Sequence, residues 1–127
     1  MPSSADVNVS TATDASGRTV ATLTFAGTGT QYGSLADGLW TLRVSAARVR
    51  GLNGVPMAAD YTYGLHRLFG DSDGDRDVDA TDKAAFDAAY GSHAGQAKYV
   101  SAFDFDQDGD VDAKDRQQFR KRLGKRL

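Results

Sequence analysis

The sequence predicts an α+β fold in which an N-terminal antiparallel β region precedes two short helices. Residues 6–69 alternate apolar and polar side chains in short runs separated by Gly- and Asp-containing turns, as half-buried strands do. Residues 70–127 contain two acidic segments that repeat at an offset of 33 residues, each followed by apolar residues at helical spacing. Because the strands precede the helices instead of alternating with them, we expect two domains, 6–69 and 70–127.

The β region divides at its turn signals into four or so short strands. The segment 18–25 alternates apolar and polar residues, and Trp40, Leu42 and Val44 fall on one face of a second strand. A last strand is predicted at 61–66. Short strands joined by polar turns favour an antiparallel, sandwich-type sheet.

The two acidic segments have the pattern of a loop that binds a cation. Each spans 12 residues and carries Asp at positions 1, 3, 5, 7, 9 and 12, and together they hold twelve of the 17 acidic residues. Calcium takes six to eight oxygen ligands, and a 12-residue loop supplies them from these positions. The sequence therefore predicts two calcium ions, with Asp71, Asp73, Asp75, Asp77, Asp79 and Asp82 around one and Asp104, Asp106, Asp108, Asp110, Asp112 and Asp115 around the other. Position 7 ligates through its main-chain carbonyl, so Asp77 and Asp110 are expected to do the same.

The alternative is a disordered, solvated acidic stretch. Such a stretch has no reason to repeat apolar residues in register, yet Val78 and Val111 both occupy position 8. The repeat also continues beyond the loops, where Phe86 matches Phe119. We therefore expect the valines to point into a core and the carboxylates to point at an ion.

The two loops differ at position 6, where the chain has to turn sharply. The second loop has Gly109 there, as the turn prefers, and the first has Arg76. A non-glycine residue in the left-handed conformation costs on the order of 1 kcal/mol. We therefore predict that the first loop binds calcium more weakly than the second.

A helix is predicted after each loop, at 83–91 and at 115–124. Phe86 and Tyr90 lie four residues apart and share a face of the first helix, as Phe119 and Leu123 do in the second. We expect both pairs to point inward and Phe86 to lie near Phe119. A glycine near the end of each segment is a plausible stop signal.

The duplicated loop–helix unit, from LFGDSDGDRDVDATD to AFDFDQDGDVDAKD, resembles the type I dockerin domain over about residues 68–125. That family has a helix after each calcium loop but none before it, and it has Asp at position 12, where the usual EF-hand has Glu. The resemblance implies a calcium-binding module of a larger secreted or cell-surface protein. It also implies docking onto a cohesin-like or other surface protein domain, as in polysaccharide-degrading machinery.

In dockerins the partner contacts fall on loop positions 10 and 11 and on exposed helix residues. Carried over to this chain, those positions are Ala80, Thr81, Ala113, Lys114, Arg120 and Lys121. The first repeat has Asp87 and Ala88 where the second has the two basic helix residues, so the two faces differ in charge. The alternative to docking is a purely structural role, in which the calcium unit caps the β region without a partner.

The segment 34–66 resembles the closing strands of bacterial Ig-like domains, in which a turn of the LADG type precedes a strand. A complete Ig-like domain takes about 100 residues. Residues 6–69 are too few, so we expect a reduced sandwich or its C-terminal part.

Composition restricts the other classes of function. The net charge is −2, and the basic residues of the tail 116–127 are not interleaved with aromatic ones, so nucleic-acid binding is not expected. That tail is either a solvated face that offsets the acidic loops or a basic patch that binds a partner.

The chain has no Cys, no apolar run that could span a membrane, and no export signal at its start. His66 and His93 have no evident triad partner, so we expect no catalysis. We expect a structural role for His66 and a solvated side chain for His93. We also expect the chain to be a monomer.

Overall fold

The computed structural model describes residues 5–127, which form an antiparallel β region followed by two helices, as the predicted α+β class requires. The strands are β1 (Asp6–Thr13), β2 (Thr19–Ala26), β3 (Thr30–Gln31), β4 (Ser34–Leu35), β5 (Gly38–Val44) and β6 (Tyr61–Arg67). The helices are α1 (Ala80–Ala89) and α2 (Ala113–Arg122). None of the helices in this part of the chain has the length and apolar character that a membrane span requires.

The first hairpin pairs β1 with β2 along their whole length, from Asp6 opposite Ala26 to Thr13 opposite Thr19. Asp14 organises its turn, because one carboxylate oxygen accepts hydrogen bonds from the Ser16 and Arg18 amides at 2.9 Å each. A short side chain that bonds to the backbone just ahead of it is a common way to build a turn.

The second hairpin pairs β5 with β6, from Gly38 opposite Arg67 to Val44 opposite Tyr61. Trp40, Leu42 and Val44 are half-buried and alternate with exposed neighbours, which confirms the prediction that they share one face of the strand. The short strands β3 and β4 form a third antiparallel pair between the two long hairpins.

The Ig-like sandwich is not confirmed. The strands of the described chain pair only within hairpins, in three separate two-stranded sheets. Leu35 is the only apolar side chain among residues 5–67 that is buried, while Leu39 and Tyr63 are exposed by 67% and 55%. The β region therefore has little hydrophobic core of its own.

The main core lies between the two helices and the loops that precede them. It consists of Leu68, Phe69, Val78, Phe86, Ala89, Phe103, Val111 and Phe119. The rings of Phe86 and Phe119 stack with centroids 4.6 Å apart, and Val78 and Val111 are fully buried, as predicted. The prediction for Leu123 is wrong. Its side chain is 44% exposed, since the helix ends at Arg122 and the chain turns away.

The helices begin earlier than the apolar spacing predicts, at Ala80 instead of 83 and at Ala113 instead of 115. They also end earlier, before Tyr90 and Leu123. Asp79 and Asp112 cap the two N-termini, and the aspartate three residues later reaches back to the amide of the cap. This reciprocal capping box satisfies amides that a helix otherwise leaves unpaired. The last residues of each acidic loop are thus also the first turn of a helix.

The β region is joined to the helical unit through Asp37, in the turn between β4 and β5. Its carboxylate accepts hydrogen bonds from Arg67 Nη1 at 2.5 Å, from the Phe69 amide at 2.8 Å and from the Nε of buried Arg122 in α2. Burial opposes ionisation of Asp37, but these three donors outweigh it and lower the pKa of the carboxyl group. The Tyr32 ring adds an edge contact to Phe105 at 5.5 Å. The two units therefore share a polar, partly buried interface.

Candidate metal centre

The first aspartate of each loop fixes the curl of the backbone. Asp71 accepts hydrogen bonds from the Gly74 amide at 2.7 Å and from the Arg76 amide at 3.0 Å. In the second loop Asp104 accepts from the Asp108 amide at 3.2 Å and from the Gly109 amide at 2.9 Å. A loop held this way is already wrapped around its first carboxylate.

A side chain five residues upstream holds this first aspartate in both repeats. His66 Nε2 lies 3.0 Å from Asp71 Oδ2, and the Tyr99 hydroxyl donates to Asp104 Oδ2 at 2.8 Å. The hydrogen bond to the carboxylate, together with partial burial, raises the pKa of Tyr99 to about 12. The expectation that His66 has a structural role did not identify this contact. The two residues are separated by the same 33-residue offset as the loops, so extending the repeat upstream would have revealed it.

The last aspartate of each loop ties its two ends together. Asp82 is fully buried and accepts from the Ser72 amide at 2.6 Å, from the Ser72 hydroxyl at 2.8 Å and from the Asp79 amide at 2.9 Å. Burial raises the pKa of Asp82, and these hydrogen bonds more than reverse the effect, so the net shift is downward. Asp115 has the matching amide bonds, from Phe105 and Asp112, both at 2.7 Å. Its pKa is raised by burial, which outweighs those bonds, and by the nearby charges of loop two.

The structure brings eleven of the twelve predicted carboxylates into clusters. Within each cluster the candidate ligand atoms lie within 4.8 Å of one another. The clusters are Asp71, Asp73 and Asp82; Asp77, Asp79 and Asp82; Asp104, Asp106 and Asp108; and Asp110, Asp112 and Asp115. Asp75 belongs to none of them, although its counterpart Asp108 does.

Three buried carboxylate oxygens in the loops lack a hydrogen-bond donor within the described chain: Asp77 Oδ1, Asp106 Oδ1 and Asp110 Oδ1. Asp77 and Asp110 occupy position 7, where the main-chain carbonyl is the expected ligand, so the informative atom is Asp106 Oδ1 at position 3. A buried charged oxygen without a partner is costly, and a cation relieves that cost. Carboxylate and carbonyl oxygens are also the ligands that calcium prefers. The carboxylate clusters of both loops therefore fit a calcium ion, and in loop two the unpaired Asp106 Oδ1 adds to that fit.

The segment after each helix crosses over to the loop of the other repeat. Residues 91–94 pair with loop two through the Gly91 amide to the Val111 carbonyl and the Ala94 amide to the Gly109 carbonyl, both at 2.8 Å. Residues 124–127 pair with loop one in the same way, with the Leu127 amide donating to the Arg76 carbonyl at 2.9 Å. Sequence reasoning missed this pairing, because the contacts are made by main-chain groups and carry no side-chain pattern.

Side chains of the crossing segments also approach position 7 of each loop. Arg126 Nη2 donates to Asp77 Oδ2 at 2.6 Å, and Nδ1 of largely exposed His93 lies 3.8 Å from Asp110 Oδ2. The two residues are 33 positions apart, so this feature belongs to the repeat as well.

Each loop holds one non-glycine residue in the left-handed conformation. Arg76 has φ 75° at position 6, as expected, but Gln107 has φ 57° at position 4 of the second loop. The matching residues of the opposite loops, Gly109 and Gly74, have φ 95° and 79°. Backbone strain alone therefore does not separate the two sites, and the order of their affinities stays a prediction.

The six candidate partner-contact residues Ala80, Thr81, Ala113, Lys114, Arg120 and Lys121 are all exposed. Lys114 differs from the others because its Nζ lies 2.7 Å from Asp108 Oδ2 and 3.5 Å from Asp106 Oδ2. These contacts raise the pKa of Lys114, and the hydrogen bond from Lys114 lowers the pKa of Asp108.

Comparison with known protein families gives a match in the C-terminal part of the chain. Residues 69–124 match the model of the family described as the dockerin type I domain. The match begins after the last strand, so it gives no support to an Ig-like origin of the strands. Comparisons with curated proteins and with solved structures gave no match.

Proposed function

We propose that this chain, whose residues 69–124 are a type I dockerin domain, binds one calcium ion in each loop and docks onto a cohesin-type domain. A dockerin domain is a calcium-binding, protein–protein docking module, so the proposal concerns the number of ions, the residues and the partner. We also propose that the chain divides into two domains, 6–69 and 70–127, and that it has no catalytic activity.

The observation that carries docking is the exposure of the partner-contact positions of both repeats in the presence of the β region. The β region instead contacts the helical unit at Asp71, Phe105 and Arg122. A partner could therefore approach the loop ends and the outer helix faces without displacing the strands.

Calcium would supply the charge that allows the aspartates to converge. The chain's own residues then position the docking face, since the ninth and twelfth loop residues also cap the helices. Removing the ion therefore disturbs the first helical turn, where Ala80, Thr81, Ala113 and Lys114 lie.

The charge of the face suggests the chemistry of the partner. Arg120 and Lys121 are exposed on α2, whereas the first repeat has Asp87, which is paired with Lys83 at 2.5 Å, and Ala88. We infer that the second repeat contacts an acidic surface and that the two repeats are not interchangeable. Dockerin domains occur in extracellular or cell-surface proteins, and we infer the same location here, with polysaccharide-degrading machinery as the context.

Binding to a panel of purified cohesin domains, with calcium and with chelator, tests the proposal. The double variant Arg120→Glu with Lys121→Glu should weaken binding at least tenfold, because attraction becomes repulsion at the interface. The matched control is Arg48→Glu with Arg50→Glu, which makes the same charge change on exposed residues of the β region. Binding that survives both chelation and the α2 reversal would exclude this mode of docking.

The second candidate function is a structural cap without a partner, and the contacts between the two units favour it. His66 links the last strand to Asp71, and Asp37 links the β4–β5 turn to α2. A cap predicts calcium-dependent stability of the whole chain but no binding to any cohesin domain at saturating calcium. That pair of results would replace docking with the structural function.

A further inference from the structure

Lys114 places an ammonium group against two carboxylates of the second loop. Its Nζ donates to Asp108 Oδ2 at 2.7 Å and lies 3.5 Å from Asp106 Oδ2. These aspartates occupy positions 5 and 3 and form one cluster with Asp104. The side chain remains 65% exposed, so it can leave the loop without disturbing the core.

The first loop has no cation in the corresponding place. Thr81 occupies the position that matches Lys114, and Asp75, which matches Asp108, lies outside the carboxylate clusters. Arg126 does approach the first loop, but it contacts the side chain of Asp77 at position 7. At that position calcium is expected to use the main-chain carbonyl instead of the carboxylate.

The position of Lys114 within α2 strengthens the interpretation. Its amide donates to the capping Asp112 at 2.6 Å, which places it in the first turn of the helix. The N-terminal end of a helix carries a partial positive charge, so an ammonium group is unfavourable there. The contact with the loop carboxylates compensates for that placement, and it does so with groups that a calcium ion would also need.

We propose that Lys114 competes with calcium for Asp106 and Asp108 and thereby lowers the calcium affinity of the second loop. This inference rests on the proposed function, since it assumes that both loops bind calcium. A divalent ion ligated by these carboxylates repels an ammonium group a few ångströms away, and salt weakens the repulsion. Calcium binding therefore either displaces Lys114 or proceeds against its charge.

The test is the substitution Lys114→Thr, which gives the second loop the residue that the first loop has. The amide resonances of Gly74 and Gly109 report each loop separately, because each amide donates to the first aspartate of its own loop. We expect the calcium midpoint at Gly109 to fall about three- to tenfold, with no change at Gly74. The difference between variant and parent should shrink at high salt.

The reverse substitution, Thr81→Lys, should raise the midpoint at Gly74 by a similar factor. It keeps the proposal open to refutation even if Lys114→Thr folds poorly. The control is Lys98→Thr, which removes an equal charge from an exposed residue whose Nζ makes, within residues 5–127, a single hydrogen bond, to the Tyr90 carbonyl at 3.4 Å. Lys98→Thr should leave both midpoints unchanged within twofold.

The possible results distinguish competition by Lys114 from calcium binding itself. An unchanged or higher midpoint at Gly109 in Lys114→Thr would overturn the competition while leaving calcium binding intact. If calcium moved neither resonance in the parent chain, the proposed function itself would fail, and the role of Lys114 with it.

Discussion

The two acidic loops have the same pattern of aspartates but different surroundings. Loop one is bordered by His66 from the last strand and by Arg126 from the C-terminal segment. Loop two is bordered by Tyr99 from the connector and by Lys114 from its own helix. The repeat keeps the aspartates of the two loops, while the side chains that border the loops differ. Loop one is thereby joined to the last strand by a polar contact through His66, whereas loop two meets the β region through Phe105, which packs against the Tyr32 ring.

The largest expected effect comes from the last aspartate of each loop. Asp82→Ala or Asp115→Ala removes a buried carboxylate that holds two or three amide and hydroxyl donors, and we expect a loss of about 3 kcal/mol in the free energy of unfolding. Each variant should also reduce the calcium stoichiometry in titration calorimetry from two to one. Equal losses in both variants would indicate equivalent loops, and a variant that still binds two ions would contradict the assignment.

The ion pairs of Asp37, which connect the β region to the helical unit, are expected to contribute about 2–3 kcal/mol to the free energy of unfolding. Asp37→Asn leaves Arg67 and Arg122 without their anionic partner, and breaking a partly buried ion pair costs an amount of this order. Chemical denaturation at pH 7 measures it. The control is Asp60→Asn, because Asp60 makes an exposed pair with Arg43 and should cost less than about 1 kcal/mol.

The same carboxylate predicts a pH dependence. Because the pKa of Asp37 is lowered in the folded state, its contribution is present above the unfolded pKa and is lost as the pH falls through the folded pKa. The difference in unfolding free energy between the parent and Asp37→Asn should therefore shrink at acid pH. A difference that stays constant down to pH 2 would show that the charge of Asp37 does not matter.

A smaller effect should distinguish the crossing segments. Deleting residues 125–127 removes two main-chain hydrogen bonds to loop one and the Arg126–Asp77 pair. At about 1 kcal/mol for each of the two hydrogen bonds, the calcium affinity of loop one should fall about thirtyfold, with loop two unaffected. The midpoints at Gly74 and Gly109 measure this directly, and an equal shift at both would mean that the segment stabilises the whole fold and not one site.

The smallest effect concerns backbone strain. Arg76→Gly and Gln107→Gly each replace a residue in the left-handed conformation with glycine, which adopts that conformation freely. Each substitution should make calcium binding to its own loop more favourable by about 0.5 kcal/mol. A gain confined to Arg76→Gly would support the prediction that strain makes loop one the weaker site. Equal gains would leave the charge of Lys114 as the main difference between the loops.

The sequence predicted the features that depend on the repeated pattern of side chains. The clustering of the loop aspartates, buried Val78 and Val111, and the contact between Phe86 and Phe119 all follow from the spacing of residue types. The helix starts were placed too late, because the apolar spacing does not show that Asp79 and Asp112 act as caps. The crossing pairs were not predictable, because main-chain hydrogen bonds leave no side-chain signature.

The β region was predicted less completely. Alternation located the strands and the face of Trp40, since that period depends only on local geometry. Which hairpins share a sheet depends on long-range packing, and with Leu35 as the only buried apolar side chain among residues 5–67 the local pattern could not decide it. The role of Asp37 was missed for the same reason, since its partner Arg122 is 85 residues away.

The most direct test is whether folding of the helical unit depends on calcium. Circular dichroism and calorimetry of the purified chain, first with chelator and then through a calcium titration, measure both helix content and melting temperature. We expect weak helical signal and a low melting temperature without calcium, and recovery of both as two equivalents bind, because an ion that binds only the folded state stabilises it. A chelated chain with full helical signal, and with a melting temperature that calcium does not raise, would contradict this expectation.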